Sequence, residues 1–153
     1  MTARIDFATV DDLEALAGLL GELFALESDF RPDRARQLAG LRLILGDPGA
    51  GRLFALRVGG RVAGMASALL TVSTAEGGRV ALLEDVIVAA EYRGRGLGRR
   101  LVEHVVAWAA ASGLPRITLL ADRDNAPALA FYERLGFAPS AMRVLRKTIS
   151  LER

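Results

Sequence analysis

The 153-residue chain contains no cysteine and one histidine, His104. Disulfides, a thiol nucleophile, an iron–sulfur cluster and a cysteine-based zinc site are therefore excluded. A histidine-rich metal site is excluded as well, and a Ser-His-Asp triad would depend on His104 alone. Long apolar runs are also missing. The longest, Val105 to Ala111, has seven residues, whereas a membrane span needs about 20. The N-terminus, Met1-Thr-Ala-Arg-Ile-Asp-Phe7, alternates polar and apolar residues and does not build the apolar core of a signal peptide. A cytoplasmic protein with no membrane partner is expected. Neither sign of charge dominates: 20 Lys+Arg oppose 18 Asp+Glu, a formal +2. With no aromatic residues interleaved among the arginines, that balance argues against a nucleic-acid partner. What is abundant is apolar: 52% of residues are hydrophobic and 25% charged, enough for a sizeable core in one domain spanning 1–153.

Local patterns predict the order of elements. Arg4 to Ala8 alternates with period two, a short strand. Thr9 can cap a helix with Asp11 and Asp12 in its first turn, and Leu13, Leu16, Leu20, Leu23 and Phe24 recur at helical spacing. Leu26 to Phe30 breaks the pattern. Pro32 suits the start of a second helix bearing Leu38, Leu41, Ile44 and Leu45, which ends at Gly46-Asp-Pro-Gly49. Leu53 to Val58 and Arg61 to about Val72 are strand-like runs joined by Gly59-Gly60, a hairpin signature. Thr74 to Gly78 is the next turn, and Arg79 to Val88 a third antiparallel strand. A helix from Gly96, with Leu97, Leu101, Val105 and Trp108 on one face, stops at Ser112 to Pro115. Ile117 to Ala121 reads as a buried strand. Pro127 opens a helix over Ala128 to Leu135, with Gly136 just beyond it. Met142 to Ile149 reads as a closing strand. The expected fold is α/β, a mixed sheet built as βαα, an antiparallel meander and then βαβαβ.

The segment richest in chemistry is Tyr92-Arg93-Gly94-Arg95-Gly96-Leu97-Gly98-Arg99-Arg100. Its glycines follow a strand and lead straight into a helix. Glycine lets backbone amides approach a ligand closely, and the helix dipole favours an anion there. Arg93, Arg95 and Arg99 add positive charge, so a pyrophosphate suits the turn. A P-loop would need Gly-Lys-Ser/Thr, and a dinucleotide fingerprint needs G-x-G-x-x-G; neither is present. The plainer alternative is a glycine-rich strand-to-helix turn on a basic surface.

Arg93-x-x-Gly96-x-Gly98 matches the Q/R-x-x-G-x-G/A motif of the GNAT superfamily of acetyl-CoA-dependent N-acetyltransferases. Leu83-Glu-Asp-Val-Ile-Val-Ala89 resembles the family strand before that motif. Asn125, followed by Phe131-Tyr-Glu-Arg-Leu-Gly-Phe137, resembles its C-terminal signature. The resemblance covers about Val80 to Phe137, and the preceding βαα and meander agree with it in order. It implies acetyl-CoA as cosubstrate; no metal is expected, since Asp122 and Asp124 have no apparent third ligand. It places the pantetheine arm along the backbone of Val86, Ile87 and Val88, where an N–H near Ile87 would polarise the thioester carbonyl. The pyrophosphate would lie on Arg93, Gly94, Arg95, Gly96, Leu97 and Gly98, with Arg99 close behind.

The same resemblance makes Asn125 a partner of the cofactor's amide arm, although a helix cap before Pro127 explains it equally well. Tyr132 is implied as the general acid that protonates the departing thiolate; the alternative is a core tyrosine beside Phe131. For the base, Glu84 and Asp85 are expected on opposite faces of the third meander strand. Their spacing from Arg93 resembles the glucosamine-phosphate N-acetyltransferase branch, which favours Glu84 over Asp85. A glutamate needs desolvation or a water relay to act on an ammonium. A second family glutamate, five residues before the asparagine, is replaced here by Leu120. His104 is expected as a half-buried helix-face residue, and Asp122 and Asp124 as solvated turn carboxylates.

The loops Phe24 to Arg31, with Glu27 and Asp29, and Thr71 to Gly78, with Glu76, would meet the acceptor. Their acidity mildly favours a cationic amine. The expected activity is acetyl transfer to a small-molecule primary amine by direct attack in a ternary complex. A protein lysine or N-terminal acetyltransferase and a non-catalytic acyl-CoA-binding module are the alternatives. A homodimer is expected through the edge of the Met142 to Ile149 strand.

Overall fold

The computed structural model describes residues 2–27 and 29–151. Its most local feature is the Gly59-Gly60 turn, where φ is +58° and +79°. Two successive positive φ angles match the twist of the flanking strands, so the hairpin closes in two residues. It joins β2 (Gly51–Val58) to β3 (Arg61–Ser73), paired from Val58↔Arg61 to Gly51↔Leu69. β3 turns back into β4 (Gly78–Val88). The N-terminal β1 (Ala3–Phe7) lies antiparallel on the far side of β2, from Ala3↔Val58 to Phe7↔Phe54. β5 (Ile117–Leu119) runs parallel to β4, giving one open sheet in the order β1-β2-β3-β4-β5.

Between β1 and β2 the chain forms two helices, α1 (Leu13–Leu26) and α2 (Arg34–Leu45). A 3-10 turn, Val10–Asp12, leads into α1, and the Thr9 amide donates to Asp12 Oδ2 at 2.8 Å. The cap of α2 is Asp33, whose carboxylate accepts from the Arg36 amide at 3.2 Å; the helix thus starts just past the expected Pro32. Buried Gln37 ties the two helices together by donating to the Ala17 carbonyl at 2.9 Å. Leu13, Leu16, Leu20 and Leu41 form one core with Leu53, Ala55, Met65 and Ile87 of the sheet. α3 (Leu97–Ala111) buries Leu97, Leu101, Val102, Val105 and Ala109. The Phe54 ring meets the edges of Trp108 and His104 at 5.4 and 5.8 Å. Each such aliphatic side chain taken out of water contributes about 1.5–3 kcal/mol.

The chain divides into two compact units, Met1–Asp122 and Arg123–Arg153. The second contains α4 (Ala126–Arg134), with Pro127 in its first turn. No helix among the described residues is long and apolar enough to cross a membrane.

Three expectations are corrected. Met142 to Ile149 forms no strand among the described residues. Met142, Val144 and Ile149 are 87%, 58% and 72% exposed, and Leu145, next to Val144, breaks the two-residue period. The edge on which the expected dimer depended is therefore not formed there. β5 is shorter than expected and only partly buried, because its pairing with β4 stops at Leu119. His104 is exposed, not half-buried, and keeps its edge contact with Phe54.

Candidate active site

The site begins where β4 loses one neighbour. β5 pairs with Ala81, Leu82 and Leu83 and no further. From Asp85 onward β4 keeps β3 on one side, with Met65↔Ile87 and Gly64↔Val88 in register. The Ala89 amide donates to the Ala63 carbonyl at 2.8 Å. Antiparallel pairing alternates inward and outward backbone groups. Ile87 therefore directs its N–H and C=O toward β3, while Val86 and Val88 direct theirs to the side β5 has left. The Val88 carbonyl already accepts from Arg93 Nε at 2.9 Å on that side. The outward donors of this stretch are thus at Val86 and Val88.

The glycine–arginine turn follows directly. Tyr92 is buried, and the Arg95 guanidinium lies over its ring at 5.6 Å. Gly94 and Gly96 have φ of +78° and +74°, and a Cβ built on either would meet nothing within 4 Å. The turn thus needs glycine for its backbone conformation and leaves open space above it. Gly96 caps α3 without a side-chain bond, and the first return within the helix runs from the Arg100 amide to the Gly96 carbonyl at 3.2 Å. The amides of Leu97, Gly98 and Arg99 have no acceptor within the helix, so three donors and the positive dipole end face the open turn. Arg99 pairs with Glu103 at 2.7 Å one helical turn on.

The carboxylates lie at an irregularity in β4. Ser67 pairs with Asp85, but Ala68 pairs with Leu83, so Glu84 is an extra residue, a β-bulge. The bulge interrupts the alternation that would put Glu84 and Asp85 on opposite faces. Ile87 belongs to the core beneath α1, and Asp85, two residues before it, shares that face. Glu84 is exposed, whereas Asp85 is partly buried. Burial, reinforced by the charge of Glu84 and opposed by a hydrogen bond from Ser67, raises the Asp85 carboxyl from its ordinary 3.8 to about 6. Glu27, just past α1, is also raised, first by burial and then by Asp85, Asp122, Glu84 and Asp29. Five carboxylates thus share one field.

In the second unit Asn125 caps α4, its side-chain oxygen accepting from the Ala128 amide at 3.2 Å. Tyr132 sits edge-on between Phe131 and Phe137, with ring centroids 5.1 and 5.7 Å away. Leu120 is 52% exposed. Sequence reasoning missed Ser67. Its signal was a lone hydroxyl in the otherwise apolar run Met65-Ala-Ser-Ala-Leu69.

The structure and sequence have clear relatives. Over 87 residues, 56% of this chain, it is 34% identical to the glucosamine 6-phosphate N-acetyltransferase of Trypanosoma brucei brucei, and it spans 57% of that relative's length. A possible acetyltransferase of Clostridium difficile superposes with a TM-score of 0.89 over 99% of this chain and 100% of that one, at 20% identity. An aminoglycoside N-acetyltransferase in complex with CoA superposes with a TM-score of 0.81, covering 96% and 95% of the two chains at 21% identity. At these identities the two structures speak to the fold. The match that speaks to descent runs over residues 16–137, from within α1 to just past α4, and takes in the bulged strand and the glycine–arginine turn: the chain belongs to the Acetyltransferase (GNAT) family.

Proposed function

We propose that the protein transfers the acetyl group of acetyl-CoA to a primary amine on a small molecule, by direct attack within a ternary complex. The observation that carries this reading is the outer edge of Val86–Val88, unpaired by β5 and continuous with the open N-terminus of α3. An extended amide-bearing arm can pair with such an edge while its pyrophosphate rests on the amides of Leu97, Gly98 and Arg99, with Arg93 and Arg95 beside them. The CoA complex of the aminoglycoside enzyme, on the same fold, supports this choice of donor. The named glucosamine 6-phosphate relative supports a small amine as acceptor.

In the proposed reaction Asp85 removes a proton from the acceptor ammonium, directly or through one water. A carboxyl near 6 is matched to that task at neutral pH. The freed amine forms a bond to the thioester carbon. The carbonyl oxygen, as it gains charge, is held by an outward N–H of Val86 or Val88. The carbon–sulfur bond then breaks, and Tyr132 supplies the proton that the departing thiolate takes up. Asn125 holds the amide arm in addition to capping α4. Glu84 ranks below Asp85 as base because it is solvated.

The test is a panel of amino sugars, polyamines, aminoglycosides and lysine peptides incubated with acetyl-CoA, with thiol release as the readout. Turnover on small amines with intersecting initial-rate lines is expected. Parallel lines, or an acetyl adduct on enzyme kept without acceptor, would overturn direct transfer. Turnover confined to the peptides would move the acceptor to proteins. Tyr132→Phe should lower kcat by about 10²–10⁴-fold and leave CoA affinity within about twofold. Gly96→Val should weaken CoA binding at least about tenfold in calorimetry. A β-branched residue at φ +74° is strained by roughly 1–2 kcal/mol and would reshape the turn; unchanged affinity would remove the turn from the site.

A further inference from the structure

Ser67 lies in mid-β3 with no exposed surface, between Ala66 and Ala68, which are equally buried. A hydroxyl in such a place is costly unless it is fully bonded. Both of its bonds go to one residue: Oγ donates to Asp85 Oδ2 at 2.8 Å and accepts from the Asp85 amide at 3.1 Å. The register shift falls between Ser67 and Ala68, so this contact sits on the bulge itself. In a regular ladder a backbone carbonyl would accept from an amide directed toward β3. Here the hydroxyl takes that place and reaches the carboxylate of the same residue. Two bonds to one residue fix both the backbone and the side-chain rotor of Asp85.

We propose that Ser67 is the positioning residue of this site, pinning the bulge and the Asp85 carboxylate together where the outer edge of β4 opens. This rests on the reading of Asp85 as the base. Ser67 takes Oδ2, and Oδ1 is the oxygen left to the acceptor or its water. A donor to the carboxylate also favours its charged form, so Ser67 works against burial and against Glu84. The charged groups in reach of Asp85 are acidic: Glu84 on its own strand and Glu27 after α1, which in turn couples to Asp29 and Asp122. β5 offers Ile117, Thr118 and Leu119, none ionisable. α3 buries the apolar Leu101, Val102 and Val105. Among these elements the hydroxyl is the group that holds the carboxylate down.

The experiment follows the Asp85 carboxyl carbon by NMR against pH, and kcat/KM against pH, in wild type and Ser67→Ala. The titration midpoint should rise by about one pH unit, and the acid limb of the rate profile should move with it. That is about a tenfold loss on the limb, fading toward pH 8, with CoA affinity held. Ser67→Cys keeps a side chain with a weaker donor and should fall between the two; it also serves if the alanine variant fails to fold. An unmoved midpoint, or a uniform fall in rate with no shift of the limb, overturns the proposal. A midpoint that moves while the limb stays keeps the hold of Ser67 on Asp85 and overturns Asp85 as the base.

Discussion

Asp85→Asn is expected to lower acetyl transfer by about 10²–10⁴-fold and to stabilise the protein at pH 8. Both effects come from the same burial. The Asp85 carboxyl is raised from 3.8 to about 6 in the folded protein. A raised acid binds its proton more tightly folded than unfolded. Its stability contribution is therefore complete below the unfolded value and is lost as pH rises through the folded one. Between about pH 4 and 6 the folded state pays progressively for a charge it does not solvate. Above that window the cost is on the order of 1–3 kcal/mol. Asparagine has no charge to bury and still accepts from Ser67. Urea unfolding should show the variant more stable than wild type at pH 8 and level with it near pH 4. Glu84→Gln, at an exposed bulge position, should lose far less activity. The reverse pattern, an inactive Glu84→Gln beside an active Asp85→Asn, would return the base to the residue the sequence favoured.

The largest loss of stability is expected at Arg57. Its guanidinium donates to both carboxylate oxygens of Asp12 at 2.8 Å, and Nε donates to Asp6 at 2.9 Å. The Arg57 and Asp12 side chains are 15% and 9% exposed, so this is an interior pair. Removing one partner of such a pair leaves a buried charge and costs about 3–5 kcal/mol. The half-exposed Asp6 adds little. Arg57→Met should lower the urea midpoint sharply at pH 7, and adding Asp12→Asn should recover part of the loss. The hydrogen bond from Arg57 holds the Asp12 carboxyl below its ordinary range. A lowered acid contributes stability above its unfolded value and loses it as pH falls through the folded one. The gap between wild type and Arg57→Met should therefore close as the pH falls below the ordinary carboxylate range. A gap independent of pH would assign the loss to packing of the arginine stem.

What the sequence disclosed, and what it hid, follows the range of the interactions. Gly59-Gly60 and the alternating runs beside it are local, and they placed the hairpin. The glycine–arginine turn was equally legible, because strand, turn and helix start are consecutive. The bulge at Glu84 was not. One extra residue leaves no trace in Leu82-Leu-Glu-Asp85, yet it decides which carboxylate is buried. The role of Ser67 was hidden for the same reason, since its partner lies 18 residues away across a register shift. The Arg57 cluster joins positions 45 and 51 residues apart, beyond any motif. Met142 to Ile149 shows the opposite error: a run with scattered apolar residues is a strand only if a ladder receives it.

The sheet order also sets a folding order. β2, β3 and β4 are joined by short turns and pair as neighbours in sequence, so their contacts close small loops. β1 joins β2 only after the chain has enclosed both α1 and α2, and the Arg57–Asp6 contact spans 51 residues. Closing that longer loop costs more entropy before any contact rewards it. The meander is accordingly the expected folding nucleus, with β1 and its ion pair expected to dock after the transition state, an order that φ-values from folding and unfolding rates would check. Substitutions at Asp6, Asp12 or Arg57 should then act mainly on the unfolding rate and leave the folding rate nearly unchanged, whereas substitutions in the Gly59-Gly60 hairpin should slow folding itself. On that expectation the N-terminal strand acts as a latch on the meander, closing last as the chain folds.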